Sequence, residues 1–366
     1  MTSDRRYMAL ALSLGARGLG RVWPRPSVGC VIVKDGRIIG RGWTQGQSGP
    51  HGEAMALAQA GEAARGATAY VTLEPCAHHG RTPPCSEALV RAGVARVVSA
   101  LEDPDPRVAG KGHAILRAAG IAVDTGLMAA EALASHEGFL KRIGQGRPML
   151  TLKLATSFDG RIATASGESQ WITGPEARRL VHLQRATHDA VLIGGGTARD
   201  DDPSLTVRGL GIAEQPVRVA LSRRLDLPLD GTLARTARDI PVWLVHGPDA
   251  PEARREAFAA TGAVLIEAAL GEGRQLGPAA VMEALGGAGL TRVYCEGGGM
   301  LAASFLQAGL ADRLIGFTAG LALGAEGRPS LGAMELAHLA DAPRFDLIES
   351  RPVGPDVMHL WRRRPA

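Results

Sequence analysis

Three short stretches, His51-Gly52-Glu53, Glu74-Pro75-Cys76 and Pro84-Cys85, decide the fold class of the N-terminal half of the chain. One imidazole and two thiols bind Zn²⁺ as three protein ligands and leave its fourth position to water. A carboxylate two residues from the histidine is placed to move the proton of that water. The spacing therefore predicts His51, Cys76 and Cys85 as metal ligands and Glu53 as the catalytic acid–base residue.

The order of these residues is similar to the signature of the zinc deaminases, H-x-E followed by P-C-x-x-C. In this chain eight residues, Ala77 to Pro84, separate the two cysteines. A structural zinc knuckle, or buried thiols unrelated to a metal, is the alternative, and an uncoordinated acid at this spacing argues against it. His78 and His79 are expected at the mouth of the pocket, because the ligand set is already complete. Cys85 follows two prolines, which favour a helix start, and a helix N-terminus favours its thiolate.

Length and composition indicate an ordinary enzyme of two domains. The chain has 366 residues, of which 45% are hydrophobic, and its net charge of +4 is too small to argue for nucleic acid. Four cysteines argue against a disulfide framework and for a reducing compartment. The N-terminus lacks an apolar signal segment, and no apolar run is long enough for a membrane span. We therefore expect a cytoplasmic protein that binds neither nucleic acid nor membranes.

Helical and extended patterns alternate along the chain, which is typical of α/β proteins. In the N-terminal half they predict a three-layer α/β/α unit with a hairpin around Lys34-Asp35-Gly36. The segment 144–148, Gly-Gln-Gly-Arg-Pro, combines flexible glycines with a proline that ends a helix. It sets the predicted domain boundary, with residues 1–145 before it and residues 146–366 after it.

In the C-terminal half, strands spaced by helices predict a mostly parallel sheet with sites at the strand ends. Residues 200–203, Asp-Asp-Asp-Pro, are expected to form an acidic loop. The predicted strands are 149–154, 190–194, 217–222, 242–246, 264–266, 292–296 and 313–318. The predicted helices are 175–187, 251–261, 278–285 and 300–308.

The stretch 72–85, Thr-Leu-Glu-Pro-Cys-Ala-His-His-Gly-Arg-Thr-Pro-Pro-Cys, resembles the bifunctional deaminase/reductase family of riboflavin biosynthesis, which has the same long separation of the cysteines. Further matches at 28–33, 102–112 and 138–142 extend the similarity, which runs over essentially the whole chain. The resemblance implies a cytidine-deaminase-like first domain and a dihydrofolate-reductase-like second domain. It also implies zinc-dependent hydrolytic deamination of 2,5-diamino-6-ribosylamino-4(3H)-pyrimidinone 5′-phosphate, followed by NADPH-dependent reduction of the ribosylamino side chain to ribitylamino.

Two glycine runs follow predicted strands in the C-terminal half, at residues 194–197 and 296–299. Backbone N–H groups in such turns can face an anion, as a phosphate reader requires. Neither run fits G-x-G-x-x-G, and glycine turns after strands are usually tight connections, so each run alone is weak evidence. Arg208, near the rigid Asp202-Pro203 turn, is suited to a bidentate phosphate contact.

The resemblance implies that the second domain binds NADPH and a phosphoribosylaminopyrimidine. It also implies that the chain can form homo-oligomers through the second domain. The implied cofactor contacts are Ala155, Trp171, Thr197, Asp201, Ser222, Gly298, Gly299, Met300, Leu301, Ala302, Ala303 and Ser304. The implied substrate contacts are Ser169, Arg185, Leu205, Arg208 and Glu296. The proton donor for the reduction stays open between Lys153 and Asp201, and loop or helix capping is the alternative role for Asp201.

Two positions depart from the family pattern. Arg25 lies between two prolines where the family has an asparagine that holds the pyrimidine ring, and Gly52 replaces an alanine. A guanidinium only donates hydrogen bonds, whereas an amide donates and accepts. The alternative hypothesis is therefore a monofunctional reductase whose first domain binds zinc but is impaired as a deaminase. A zinc-stabilised RNA-binding or RNA-editing module is a third hypothesis, and the lack of a basic patch and the reductase half argue against it.

Overall fold

The computed structural model describes residues 3–79 and 83–364, so residues 80–82 of the 72–85 motif lie outside the described residues. The chain divides into two compact units, Met1–Gly146 and Arg147–Ala366, and the division falls inside the segment 144–148. None of the helices in the described ranges has the length and apolar character needed to cross a bilayer. Each unit has its own sheet and its own hydrophobic core.

The first unit consists of a five-stranded sheet with helices on both faces. Its strands are β1 (Gly29–Lys34), β2 (Arg37–Trp43), β3 (Thr68–Val71), β4 (Arg96–Ser99) and β5 (Ala122–Thr125). Its helices are α1 (Ser3–Ala16), α2 (Gly52–Ala60), α3 (Cys85–Ala92), α4 (Lys111–Ala118) and α5 (Ala129–Gln145), with a 3-10 turn at Gly61–Ala64. In the order β2-β1-β3-β4-β5, β1 is antiparallel to both neighbours, and β3, β4 and β5 are parallel.

Two hydrophobic clusters, one on each face of this sheet, form the core of the first unit. On one face, Met8 of α1 packs in a cluster with Tyr70 of β3. On the other face, Leu89 of α3 and Leu116 of α4 share a cluster with Val71 of β3. Successive strand residues point to opposite faces of a sheet, so β3 contributes to both clusters. The predicted three-layer α/β/α arrangement is confirmed.

The second unit contains a nine-stranded sheet and a two-stranded sheet. Its strands are β6 (Met149–Ser157), β7 (Arg161–Ala163), β8 (Ala190–Gly194), β9 (Val217–Leu221), β10 (Val242–His246), β11 (Val264–Glu267), β12 (Arg292–Cys295), β13 (Ala311–Ala319), β14 (Arg328–Pro329), β15 (Phe345–Val353) and β16 (Asp356–Arg363). Its helices are α6 (Pro175–Ala186), α7 (Gly195–Asp201), α8 (Thr232–Arg235), α9 (Glu252–Ala260), α10 (Pro278–Gly287) and α11 (Gly299–Gln307), with 3-10 turns at Glu272–Arg274 and Leu339–Asp341.

The large sheet is parallel over most of its width, as predicted. In the order β11-β10-β9-β8-β12-β6-β13-β16-β15, all neighbours as far as β13 are parallel, and the last three strands are antiparallel. The small sheet pairs β7 with β14. The carboxyl ends of β6, β8, β9 and β12 therefore lie at one edge of the sheet, where a parallel sheet forms its binding sites.

Some elements were not predicted from the sequence. The hairpin of β15 and β16 was missed because residues 346–352 are all exposed and so lack the alternation of a half-buried strand. The short elements β7, β14 and α8 were also missed. The prediction of an acidic loop at 200–203 is wrong for Asp200 and Asp201, which are the last two residues of α7. Asp202 follows as the C-cap of that helix, in the left-handed conformation with φ of 39°.

Candidate functional site

The three predicted metal ligands lie together in the first unit, each at the end of an element. His51 is the N-cap of α2, Cys76 follows β3, and Cys85 is the first residue of α3. Nδ1 of His51 lies 3.6 Å from Sγ of Cys76 and 3.4 Å from Sγ of Cys85. Zinc bonds of about 2.0 Å to nitrogen and about 2.3 Å to sulfur, at a tetrahedral angle, separate such atoms by about 3.5 Å. The donor set and its spacing therefore fit Zn²⁺.

The two thiols of this cluster differ in acidity. Hydrogen bonds from the Cys85 thiol and from the His51 ring lower the pKa of Cys76 to about 4. The hydrogen bond to Cys76, together with burial, raises the pKa of Cys85. The sequence predicts the thiolate at Cys85, but the backbone N–H of that residue donates to Sγ of Cys76 at 3.2 Å. The N-terminus of α3 therefore stabilises the thiolate of the neighbouring ligand.

Glu53 has the environment of a proton-transfer group. It lies in the first turn of α2 with 3% of its surface exposed. Its Oε2 atom is buried and has no hydrogen-bond partner among the described residues. Burial raises the pKa of Glu53 to about 7. A carboxyl group with a pKa near neutrality can both accept and donate a proton during one reaction cycle.

The histidines between the cysteines do not join the ligand cluster of the described residues. The side chain of His79 is 74% exposed, and its Nε2 lies 3.5 Å from Oε1 of Glu87. His78 is partly buried. The expectation that both histidines lie at the mouth of the pocket stays a prediction.

The two departures from the family pattern have structural explanations. The Arg25 guanidinium donates to the carbonyls of Gln45 and Gly49, both at 2.9 Å, and to that of Gly46. It therefore holds the loop that leads to His51. Gly52 allows a close approach of α2 to β1 and β2, because a Cβ there would lie 2.7 Å from the carbonyl oxygen of Val28.

In the second unit, several predicted cofactor contacts converge at the carboxyl edge of the parallel strands. A Cβ added at Gly298 would lie 3.6 Å from Oγ1 of Thr197. The turn after β12 therefore lies against the start of α7. A Cβ at Gly194 would lie 3.6 Å from the Leu301 side chain, and one at Gly195 would lie 3.6 Å from Cβ of Ser222. The two glycine runs thus form one cradle, and a Cβ at Gly196 would meet no neighbour among the described residues within 4 Å, which leaves space there for the phosphate groups of a nucleotide.

The other predicted cofactor contacts differ in exposure. Trp171 is 66% exposed, and the Arg178 guanidinium lies 4.6 Å from its ring centroid. Met300 is exposed at the start of α11. Burial and the neighbouring Asp200 raise the pKa of Asp201 at the end of α7. The remaining predicted contacts have small side chains. They are the buried Ala302 and Ala303 of α11, Gly299 and Ser304 of the same helix, and the partly buried Ala155 of β6.

The predicted substrate contacts centre on one ion pair. Arg185 of α6 meets Glu296, which follows β12, and also donates to the carbonyl of Thr206 at 2.8 Å. Arg208 is exposed. The Leu205 side chain is 3% exposed and packs in the hydrophobic core, so only its backbone remains for a ligand. Ser169 is partly buried and lies in the connection between β7 and α6.

Sequence reasoning missed His182 of α6, which contacts the backbone of Thr206 and of the predicted substrate residue Arg208. Its Nδ1 lies 3.1 Å from the Thr206 carbonyl oxygen and 3.3 Å from the backbone nitrogen of Arg208. Burial, together with Arg185 and Arg208, lowers the pKa of His182. The signal in the sequence is its position three residues before Arg185, which places both side chains on one face of a helix.

The sequence matches two protein-family profiles. The cytidine and deoxycytidylate deaminase zinc-binding region matches residues 1–101, and the RibD C-terminal domain matches residues 148–359. Riboflavin biosynthesis protein RibD of Escherichia coli (strain K12) is 47% identical over 365 residues, which cover 98% of this chain and 99% of that protein.

Two solved structures extend the similarity to the whole fold. Acinetobacter baumannii RibD, form 2, superposes with a TM-score of 0.87 at 40% identity. The diaminohydroxyphosphoribosylaminopyrimidine deaminase/5-amino-6-(5-phosphoribosylamino)uracil reductase of Thermotoga maritima superposes with a TM-score of 0.85 at 32% identity. Each alignment covers 99% of this chain and 99% of the other.

The site geometry and these matches define a two-domain enzyme in which a zinc-binding deaminase region precedes a reductase domain. The chain belongs to the RibD family of riboflavin-biosynthesis enzymes. The predicted family and fold class are therefore confirmed, as is the prediction of a bifunctional enzyme with Zn²⁺ and NADPH as cofactors. The alternative of a monofunctional reductase is not favoured, because both regions of the family are present.

Proposed function

We propose that residues 1–145 deaminate 2,5-diamino-6-ribosylamino-4(3H)-pyrimidinone 5′-phosphate and that residues 146–366 reduce the product with NADPH. The observation that carries the first half is the spacing of the imidazole and the two thiols beside a buried acid. His51, Cys76 and Cys85 hold Zn²⁺, which when bound supplies a water that is acidic near neutral pH. Glu53 is the catalytic residue.

Glu53 moves the protons of the deamination. Its unpartnered Oε2 accepts one proton from the attacking water and delivers it to the pyrimidine ring nitrogen. Glu53 then takes the second proton of the same water from the added hydroxyl and delivers it to the leaving amine, which departs as ammonia. The pKa of about 7 supports both transfers, because neither the acid nor the base form is strongly favoured at neutral pH. Arg25 contributes by ordering the loop before His51.

The second unit orients the cofactor and an opened ribose. NADPH supplies the hydride for C1′, and the protein supplies orientation and charge. Glycine-run backbone groups with Thr197 and Ser222 bind the cofactor, with Ala155, Trp171, Asp201 and the first turns of α11 around them. Arg185, Glu296, the backbone of Leu205, Arg208 and Ser169 bind the phosphoribosyl substrate.

We assign the proton donor of the reduction to Lys153 in preference to Asp201. Burial lowers the pKa of Lys153, which makes its ammonium a better acid, and Glu296 lies close enough to oppose that shift. Lys153→Met is expected to abolish reduction and to leave ammonia release unchanged. Asp201→Asn, the matched variant, is expected to raise the KM for NADPH and to retain reduction at saturating NADPH. The reverse pattern assigns the donor to Asp201.

Assembly and location are part of the same proposal. β15 is an edge strand of the second unit, and Leu347 and Ile348 on it are about half exposed, which supports a homo-oligomer through this unit. All four cysteines are free thiols, which supports a cytoplasmic enzyme. Light scattering of the wild type and of Leu347→Glu tests the assembly, and an unchanged mass in both proteins at the monomer value contradicts it.

One experiment tests the two activities together. Purified, zinc-loaded protein is incubated with the diaminopyrimidine phosphate, with and without NADPH. Ammonia release without NADPH supports deamination in the first unit. Reduction of supplied deaminated substrate without any ammonia release leaves only the reductase. Tight binding of tRNA that survives about 0.2 M salt favours an RNA-binding module, because nonspecific phosphate binding falls steeply with salt.

A further inference from the structure

The Glu74 carboxylate, two residues before the ligand Cys76, is used entirely within the protein. Its side chain is 0% exposed. Oε2 accepts the backbone N–H groups of Asp103 at 3.2 Å and Gly110 at 2.9 Å. Oε1 accepts the backbone N–H of His113 at 3.1 Å. Both oxygens therefore act as acceptors, and all three donors belong to one segment, residues 103–113.

This segment contains the start of α4, which lacks a cap of its own. Gly110 occupies the N-cap position and has no side chain to bind the free N–H groups of the first turn. Glu74 replaces that missing cap from another part of the chain, since Gly110 and His113 are the N-cap and third residues of the helix start. A carboxylate at a helix N-terminus is also favoured by the helix dipole.

The peptide next to Glu74 packs on the same turn. A Cβ added at Gly112 would lie 2.0 Å from the carbonyl oxygen of Pro75 and 3.1 Å from Oε1 of Glu74. Only glycine at that position leaves room for this approach. The turn that carries Cys76 is thus attached to α4 by the Glu74 hydrogen bonds and by the fit of Pro75 over Gly112.

We propose that Glu74 is a positioning residue for the zinc ligand Cys76. By capping α4, Glu74 fixes the turn that carries Cys76. The proposal rests on the zinc site of the proposed function. Its carboxylate oxygens are occupied by the backbone N–H groups of residues 103–113, so it acts through the backbone between residues 74 and 76. Partners that orient metal ligands in this way typically change metal affinity by about 10- to 100-fold when they are mutated.

A cation site at Glu74, Glu102 and His113 is the competing explanation, because their ligand atoms lie within 4.8 Å of one another. The hydrogen bonds argue against it, since both Glu74 oxygens already accept backbone N–H groups. Glu102 is exposed, and it provides a matched control at the same place in the fold.

The test compares Glu74→Gln with Glu102→Gln in the full chain. The amide of glutamine keeps the shape of the side chain, but its NH₂ group faces a backbone donor, so at least one hydrogen bond is lost. Zinc affinity is measured by competition with a chromophoric chelator, and the ligand geometry by the visible spectrum of the Co²⁺-substituted protein. Reduction of supplied deaminated substrate monitors the second unit, and bound metal per chain is counted.

We expect Glu74→Gln to weaken zinc binding by about 10- to 100-fold and to alter the Co²⁺ spectrum, with normal reduction and one metal per chain. Glu102→Gln is expected to match the wild type. If the first unit of Glu74→Gln does not fold, Glu74→Asp, which keeps both oxygens but shortens the side chain, is expected to show a smaller loss in the same direction.

Three results would overturn the proposal. Wild-type zinc affinity and Co²⁺ spectrum in folded Glu74→Gln show that the carboxylate does not position the ligand, while ammonia release by the wild type still supports the proposed function. A second metal equivalent that is lost in Glu102→Gln assigns the cluster to a cation. A wild-type protein that binds no zinc refutes the proposed function and this inference together.

Discussion

Arg185 and Glu296 form a two-point ion pair, with Nε to Oε1 at 2.6 Å and Nη2 to Oε2 at 3.0 Å. The two side chains are only 12% and 10% exposed. The guanidinium holds the Glu296 carboxylate charged and lowers its pKa, although burial acts in the opposite direction. The pair connects α6 to the turn after β12, where the substrate and cofactor contacts meet.

Glu296→Gln is expected to destabilise the second unit by about 3–5 kcal/mol, because it leaves the buried Arg185 charge without its partner. Reduction is expected to be lost with it, and ammonia release by the first unit to persist. Urea unfolding followed by circular dichroism measures the first effect. A loss of stability below about 1 kcal/mol, the range of an exposed pair, would contradict the importance of this contact.

Glu53→Gln is expected to keep zinc and to lose deamination by about 10²- to 10⁴-fold, the usual contribution of a positioned acid–base group. The glutamine amide has nearly the same shape but cannot accept and return a proton. Ammonia release and metal content are measured on the same sample. Reduction of supplied deaminated substrate should be unchanged, and its loss in a folded variant would argue against two independent sites.

The loop held by Arg25 provides a third prediction. Arg25→Met removes the donors to Gln45, Gly46 and Gly49, and hydrogen bonds from a charged group contribute about 1.5–3 kcal/mol each. We expect faster hydrogen exchange at residues 45–49 and a KM for deamination raised by about 10-fold or more. Arg41→Met, at an exposed position of β2, is the control. Equal exchange and equal KM in both variants would show that Arg25 does not order this loop.

The metal site was predictable because its residues form a short, ordered pattern. His51 and Glu53 share one helix start, and the two cysteines flank one connection, so the sequence alone brings their chemistry together. The capping role of Glu74 was not predictable, because its donors are backbone N–H groups 29 to 39 residues away. Any residue type could supply such donors, so no side-chain pattern marks them.

The same distinction explains the second unit. The buried parallel strand β8 is a continuous apolar run, and its bounds were predicted as observed. The bounds of β9 were predicted to within a residue, although the buried Arg218 interrupts its apolar run. The edge strand β15 carries charges at Asp346, Glu349 and Arg351 and lacks an apolar face. Its antiparallel pairing with β16 holds it in the sheet. α7 begins with two glycines, which are poor helix formers, so only the tertiary fold decides its conformation.

His136 of α5 provides a prediction about stability and pH. It is 2% exposed, and its Nε2 lies 3.1 Å from Oγ1 of Thr72, the hydroxyl that also accepts the backbone N–H of Gly29. Burial lowers the pKa of His136 from 6.5 to about 4. As the pH falls through 6.5, the unfolded chain therefore binds a proton at this residue before the folded chain does.

The sign follows from proton linkage, because stability rises with pH wherever the unfolded state binds more protons. His136 thus reduces the free energy of unfolding progressively between pH 6.5 and about 4, by about 3 kcal/mol over the whole window. His136→Gln is expected to remove about one proton from the pH dependence of unfolding in that window, whatever its effect at pH 8. Urea unfolding at half-unit steps of pH measures the slope of the variant and of the wild type, and a slope in His136→Gln equal to that of the wild type would show that the folded protein protonates this ring at its ordinary pKa.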